Sequence, residues 1–217
     1  MALLLLISLA LSPQQGLGAQ ELDPIIDSLQ KNYEDISDLS ARFTQMALIK
    51  AIGKVKVRGG RAYFKKPGMM RWEYEGKPGD LIISDGKTLW MYFPEDNQVQ
   101  VSRFSQAWAG RLPTAYLAGL GRLRRDFDIS FASPERDERG NYILNLTPKE
   151  PLPQVSKLTV TVDKDSLFVI ASSFTDPLGN RTDIRFSQIR INQGLRDSLF
   201  IFVPPPEAEV IEASPMD

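Results

Sequence analysis

The chain has 217 residues, 42% of them hydrophobic and 24% charged, with a formal net charge of −1 at pH 7. That length suits one sizeable domain and not two, and the balanced charge supplies no overall positive field for nucleic acid or an anionic membrane. Cysteine and histidine are both absent, which removes disulfides, cysteine lipidation and the commonest general base and metal ligand, and with them zinc and triad chemistry.

Ala2 to Leu11 form an almost unbroken apolar run, followed by Ser12-Pro13 and the small residues Gly16, Gly18 and Ala19. This is the shape of a secretory signal. About ten apolar residues make a helix near 15 Å long, about half the thickness of a bilayer core, so an anchor is not expected. Residues 1–19 are read as the signal, 20–211 as the domain and 212–217 as a tail. The usual positive n-region is missing before Leu3, which points to a start codon further upstream.

Asp23-Pro24 reads as an N-cap and first-turn proline, and Ile25, Ile26, Leu29, Tyr33 and Ile36 recur at helical spacing, predicting an amphipathic helix over about 24–33. From Leu39 the apolar period shortens toward two, through Ala41-Arg42-Phe43-Thr44-Gln45-Met46. Antiparallel strands follow from Val55 to Val101, punctuated by Gly59-Gly60, Lys66-Pro67-Gly68, Lys77-Pro78-Gly79 and Asp85-Gly86. Asp85-Gly86 predicts a two-residue type I′ hairpin, with positive φ at both positions.

Between Ser102 and Arg125 the pattern turns helical, with Phe104, Trp108, Leu112, Tyr116, Leu120 and Leu123 three or four apart and Gly110 and Pro113 as breaks. Two short helices, or one broken helix, are expected there. Strands return at 127–131, 142–146, 158–162, 167–174, 182–191 and 200–202. Lys157 to Asp163 alternate cleanly, giving one apolar and one wet face. The tail from Pro204 to Asp217 is proline-rich and acidic and reads as loosely held.

Alternation puts Met70, Trp72 and Tyr74 on one strand face against Arg71, Glu73 and Glu75, and Leu89, Met91 and Phe93 against Trp90 and Tyr92. So much aromatic and methionine surface needs a cover. Helices closed over a curved sheet would leave an apolar cavity suited to flexible acyl chains. The alternative is a filled core, which for any single aromatic is the commoner case. An enzyme reading would rest on Ser84-Asp85, yet the turn itself accounts for Asp85 and no base stands by to activate a nucleophile. Lys65-Lys66 and Arg122-Leu123-Arg124-Arg125 read as solvated lysines and a cluster at a helix C-terminus, in preference to an anion site.

Four separated motifs carry a resemblance: Phe43-Thr44-Gln45; Gly60 with Lys66-Pro67-Gly68-Met69-Met70-Arg71-Trp72; Ile82-Ile83 leading into Ser84-Asp85-Gly86-Lys87-Thr88-Leu89-Trp90-Met91-Tyr92; and Phe202-Val203-Pro204-Pro205. In order and spacing, from about Leu22 to Ile211, the chain resembles the periplasmic carriers of outer-membrane lipoproteins, the LolA family. The resemblance implies a mainly β (α+β) fold, a single curved antiparallel sheet forming an unclosed half-barrel with a lid of about three short helices. It implies a periplasmic, monomeric, non-catalytic carrier without cofactor. Such a carrier takes triacylated lipoproteins from an inner-membrane ABC exporter and passes them to an outer-membrane receptor.

The implied acyl-chain contacts are Tyr33, Phe64, Met70, Trp72, Tyr74, Leu89 and Met91 on the helix and strands, and Leu112, Tyr116 and Leu120 in the central helices, which are expected to fill the empty cavity and leave it on loading. Lys66 matches the basic residue that ties the lid to the barrel, where the family more often has arginine, with Lys65 and Arg71 as substitutes. A soluble lipid- or lipoprotein-binding sensor of the same half-barrel type is the alternative function.

Overall fold

In the computed structural model, which describes residues 19–104, 123–150 and 155–212, the strands join into one unclosed sheet. Helix α1 (Ala19–Asp35) leads into the long hairpin β1 (Asp38–Ile49) and β2 (Lys54–Lys65), linked by the 3-10 turn Lys50–Ile52. A meander follows through β3 (Met69–Tyr74), β4 (Leu81–Asp85), β5 (Thr88–Phe93) and β6 (Gln98–Arg103). After the short helix α2 (Leu123–Asp126) come β7 (Phe127–Arg136), β8 (Tyr142–Pro148), β9 (Lys157–Val162), β10 (Val169–Thr175) and β11 (Arg181–Ile191). A 3-10 turn, Asp197–Phe200, precedes β12 (Glu209–Glu212).

The twelve strands run in the order β12-β6-β5-β4-β3-β2-β1-β11-β10-β9-β8-β7. Two local meanders are thus joined at a seam between β1 and β11, where Phe43 faces Phe186 and Leu39 faces Ile191.

The expected half-barrel is present, and alternation holds on both meanders. Toward α1 the sheet presents Leu39, Phe43, Phe64, Met70, Trp72 and Leu89 from one half, and Leu144, Leu158, Val160, Ile184 and Phe186 from the other, all buried with Ile26, Leu29 and Tyr33 of the helix and Ile36 just after it. Each such side chain contributes about 1.5–3 kcal/mol by leaving water. A second apolar layer lies on the outer face, where Ile83, Val99 and Phe200 are buried and the ring of Phe202 sits 6.3 Å from Trp90 and 5.8 Å from Tyr92.

Several local expectations change. Helix α1 begins at Ala19 and takes Pro24 inside it. The proline forfeits one bond near the start, and the apolar stripe toward the sheet carries the helix through. At the β4–β5 turn only Gly86 has positive φ, at +90°. Asp85 stays in the strand, and its carboxylate accepts the N–H groups of Lys87 at 2.8 Å and Thr88 at 2.7 Å. The side chain therefore closes a longer loop, and the two-residue I′ turn is not formed. Leu167 adopts φ +54° in the β9–β10 turn, so that strand starts at Val169.

The 200–202 strand is replaced by the Asp197–Phe200 3-10 turn and extended chain, because this segment crosses the outer face and meets no strand edge. The supposedly loose tail instead supplies β12, which pairs in parallel with β6, Val210 beside Val99. It is fastened by Asn97, whose carbonyl accepts the Glu209 N–H at 2.9 Å and whose amide donates to the Glu207 carbonyl at 2.7 Å. The signal up to residue 18, and all but the ends of the expected central helical segment, fall outside the described residues.

Candidate lipid-binding face

The face begins with α1, whose Ile25, Ile26, Leu29 and Tyr33 are buried at helical spacing, with Ile36 buried just past its end. Tyr33 is fixed at both ends of its ring. Its edge meets Phe168 at 5.9 Å, and its hydroxyl oxygen accepts the Val169 N–H at 3.2 Å. Burial pushes the phenol well above its ordinary range, and the bond from Val169 only partly opposes this.

Trp72 is the hub of the aromatic layer. Its ring lies 4.7 Å from Phe43, 5.6 Å from Phe64 and 6.1 Å from Phe186, so one indole on β3 touches rings from β1, β2 and β11. Phe43 can reach it because β2 has glycine in the cross-strand position. A Cβ at Gly60 would collide with the main-chain oxygen of Glu73 and lie 2.6 Å from Phe43 Cε1. Met70, Ser84 and Leu89 pair across adjacent strands in the next row, all buried.

Tyr74 marks the polar end of the layer. Its hydroxyl donates to Gln45 Oε1 at 2.8 Å, and the guanidinium of Arg58 lies 4.0 Å over its ring. Burial raises the phenol, with the Arg58 charge opposing. Met91 is half-buried beside Ile82.

The structure thus places Tyr33, Phe64, Met70, Trp72, Tyr74, Leu89 and Met91 toward the helix-covered face, and it adds Phe43, Phe186 and Gly60 to the layer. Leu112, Tyr116 and Leu120 lie outside the described residues. Phe186 was visible in the sequence only as one apolar position in the alternating strand Ile184-Arg185-Phe186, and its place beside Trp72 depends on the long-range β1–β11 seam.

Lys65 and Lys66, read as solvated when taken as a charged pair, are both half-buried and hydrogen-bonded. The ammonium of Lys66 donates to the carbonyl oxygens of Tyr33 at 2.6 Å and Glu34 at 2.7 Å, closing the C-terminal end of α1. Lys65 bonds Leu195 O and Asp197, both at 2.6 Å, and Arg71 bonds Glu73 and Leu199 O. Those two residues therefore hold the outer segment and do not reach the helix. Arg124 of α2 forks onto the start of α1, meeting Asp27 at 2.8 Å and Asp23 at 3.0 Å. Nothing in the spacing of the sequence announced that pairing.

Ser84 and Asp85, the candidates for chemistry, both serve the turn: Ser84 Oγ accepts the Gly86 N–H at 3.0 Å. No helix among the described residues is long and apolar enough to cross a membrane.

A broad apolar sheet face roofed by a helix, with the polar side chains around it spent on turns and helix ends, defines an unclosed half-barrel fold. The chain belongs to the family of the outer membrane lipoprotein carrier protein LolA, whose model matches residues 34–203. It is 33% identical over 197 residues to the outer-membrane lipoprotein carrier protein of Chromobacterium violaceum, spanning 90% of this chain and 91% of that one. To the protein of the same name from Azotobacter vinelandii it is 29% identical, over 97% and 96% of the two chains. Among solved structures it is similar to an uncharacterized conserved protein from Thermus thermophilus, with a TM-score of 0.55 and 16% identity over 89% of this chain and 100% of that one. That likeness concerns the fold alone.

Proposed function

We propose that this protein carries lipoproteins through the periplasm, shielding their acyl chains against the helix-covered face and making or breaking no bond. The observation that carries the reading is the Trp72-centred aromatic layer lying under α1. Burial of acyl chains is worth about 0.8 kcal/mol per methylene, so a triacylated cargo entering a dry cavity would be held too tightly to be passed on without energy input. A roof that competes for the same apolar face weakens the net affinity, because opening it costs part of what loading gains. In this scheme α1 is the competing roof, and Lys66 ties it to the β2–β3 turn. An inner-membrane ABC exporter would load the carrier and an outer-membrane receptor would empty it.

The deciding experiment is purification from periplasm with mass spectrometry of what co-elutes. Diverse triacylated lipoproteins should come with the native chain, and Trp72→Glu or Met70→Glu should reduce loading. A bare protein, from cells whose lipoproteins remain correctly placed when it is deleted, would sink the assignment.

A further inference from the structure

The near-zero net charge conceals a segregation. Between Leu39 and Trp72 stand nine lysines and arginines and no aspartate or glutamate. This run forms β1, β2 and the start of β3. There the β1–β2 hairpin outruns its neighbour: β3 pairs with β2 only from Gly60 to Lys65, so Lys54 to Arg58 have no strand beyond them among the described residues.

The hairpin end carries aliphatic side chains in water. Met46 faces Val57 and Leu48 faces Val55 on one side of the ladder. Val57 is 61% exposed, and Ile52, in the connecting turn, 68%. The β10–β11 turn joins this prominence, since the Lys50 N–H donates to Asn180 Oδ1 at 3.0 Å and Gly179 abuts the Lys50 side chain. That brings alongside Leu178, which is 80% exposed. Alternation puts Lys54 and Lys56 on the other side of β2. Arg42 and Arg58 are neutralised by Glu75 and Asp80. Among the described residues no ion pair engages Lys50, Lys54 or Lys56.

We propose that this tip docks the protein on an anionic phospholipid bilayer, with Ile52, Val55, Val57 and Leu178 entering the boundary between headgroups and acyl chains and Lys50, Lys54 and Lys56 meeting lipid phosphates. Composition decides between a bilayer and a protein partner. Protein interfaces favour aromatic residues, methionine and arginine seated in pockets, and are poor in lysine. A convex tip of aliphatic side chains ringed by lysines is instead the chemistry of interfacial lipid binding, in which apolar burial and attraction to anionic headgroups add. The lysines on the bare edge of β2 also oppose strand pairing with a second copy. Val55 and Val57 lie on the opposite side of the sheet from Phe64 and Trp72, while Lys54 and Lys56 continue the Phe64 side of β2 beyond the end of the aromatic layer, so the proposal stands whether or not that layer takes acyl chains.

The test uses the full mature chain without cargo, floated with phosphatidylethanolamine vesicles with or without phosphatidylglycerol. Binding is expected only with the anionic lipid, falling about tenfold or more for Ile52→Glu/Val55→Glu and declining with salt and for Lys54→Ser/Lys56→Ser. These positions are exposed, so melting should be unchanged. Because the chain has no cysteine, Ile52→Cys takes a single polarity-sensitive dye, whose emission should shift to the blue on anionic vesicles. Absence of native binding, equal binding by the variants, or an unshifted dye would overturn the proposal. So would a dimer dissolved by Ile52→Glu, since that assigns the tip to a second copy of the chain.

Discussion

The ammonium of Lys66, on the β2–β3 turn, lies 2.6 Å from the carbonyl oxygen of Tyr33 and so caps a helix that begins more than thirty residues before it in the chain. Helix α1 has no basic residue in its last turn and ends on Glu34-Asp35, so its negative pole carries negative side chains. The sheet supplies the missing cation. Partial burial lowers the Lys66 pKa below that of an ordinary lysine, with the charges of Glu34 and Asp35 acting in the opposite direction.

Lys66→Met should therefore cost about 1–2 kcal/mol in urea unfolding and speed hydrogen exchange in the last turn of α1, while Lys66→Arg retains most of the contact. Unchanged exchange in the Met variant would show that the helix end is held by packing alone.

The two bulky indoles on opposite faces separate stability from binding. Trp72→Ala should lose about 3–5 kcal/mol of stability and also the uptake of a fluorescent fatty-acyl probe. Trp90→Ala, on the outer face beside Phe202, should destabilise the fold and leave probe uptake in the folded fraction intact. Equal loss of uptake in both variants would contradict a binding site confined to the helix-covered face.

Glycines at two positions should respond differently. Gly60→Ala forces backbone to move under Phe43 and should cost about 3 kcal/mol or more, read as a lowered urea midpoint. Gly53, with φ +62°, sits in open space, with no atom within 4 Å of where a Cβ would stand. Gly53→Asn, which tolerates that backbone, should stay within about 0.5 kcal/mol.

Acid sensitivity should be traceable to the β9–β10 turn. The Asp163 carboxylate accepts the Ser166 N–H at 2.8 Å and its hydroxyl at 2.7 Å, and these bonds, the backbone one foremost, hold the carboxyl below its ordinary range. A depressed folded-state pKa adds stability above the unfolded value of about 3.9, and that stability is lost as pH falls through the folded value. Asp163→Asn should thus lower Tm at neutral pH, with the gap to the native protein closing below about pH 4. A gap that persists undiminished in acid would rule out this turn as the source.

What the sequence revealed was local. The alternation of Met70, Trp72 and Tyr74 was legible because strand period alone sets the face. So was the stripe of Ile25, Ile26, Leu29 and Tyr33, whose spacing fits only a helix. The turn at Asp85 was placed correctly but mistaken in type, since its geometry depends on a side chain accepting two main-chain bonds. The parallel β12, the outer packing of Phe200 and Phe202 and the Arg124 fork on α1 were not legible. Each joins segments far apart in the chain, and no short-range period encodes such a meeting. The net charge hid the gathering of lysines and arginines between Leu39 and Trp72, because a sum over the chain says nothing of position.

The seam between β1 and β11 has a consequence for how the chain becomes a protein at all. Hairpins β2 through β6 can zip up as soon as they are made, and so can β7 through β11, but Leu39 must wait for Ile191 before the sheet has a middle. Until then β1 offers one bare edge, and the faces that will bury Trp72 and Phe186 together are open to water. Folding dominated by so distant a pairing is slow and exposed to aggregation, so the half-made molecule has the same need for cover that its finished form is proposed to meet in others.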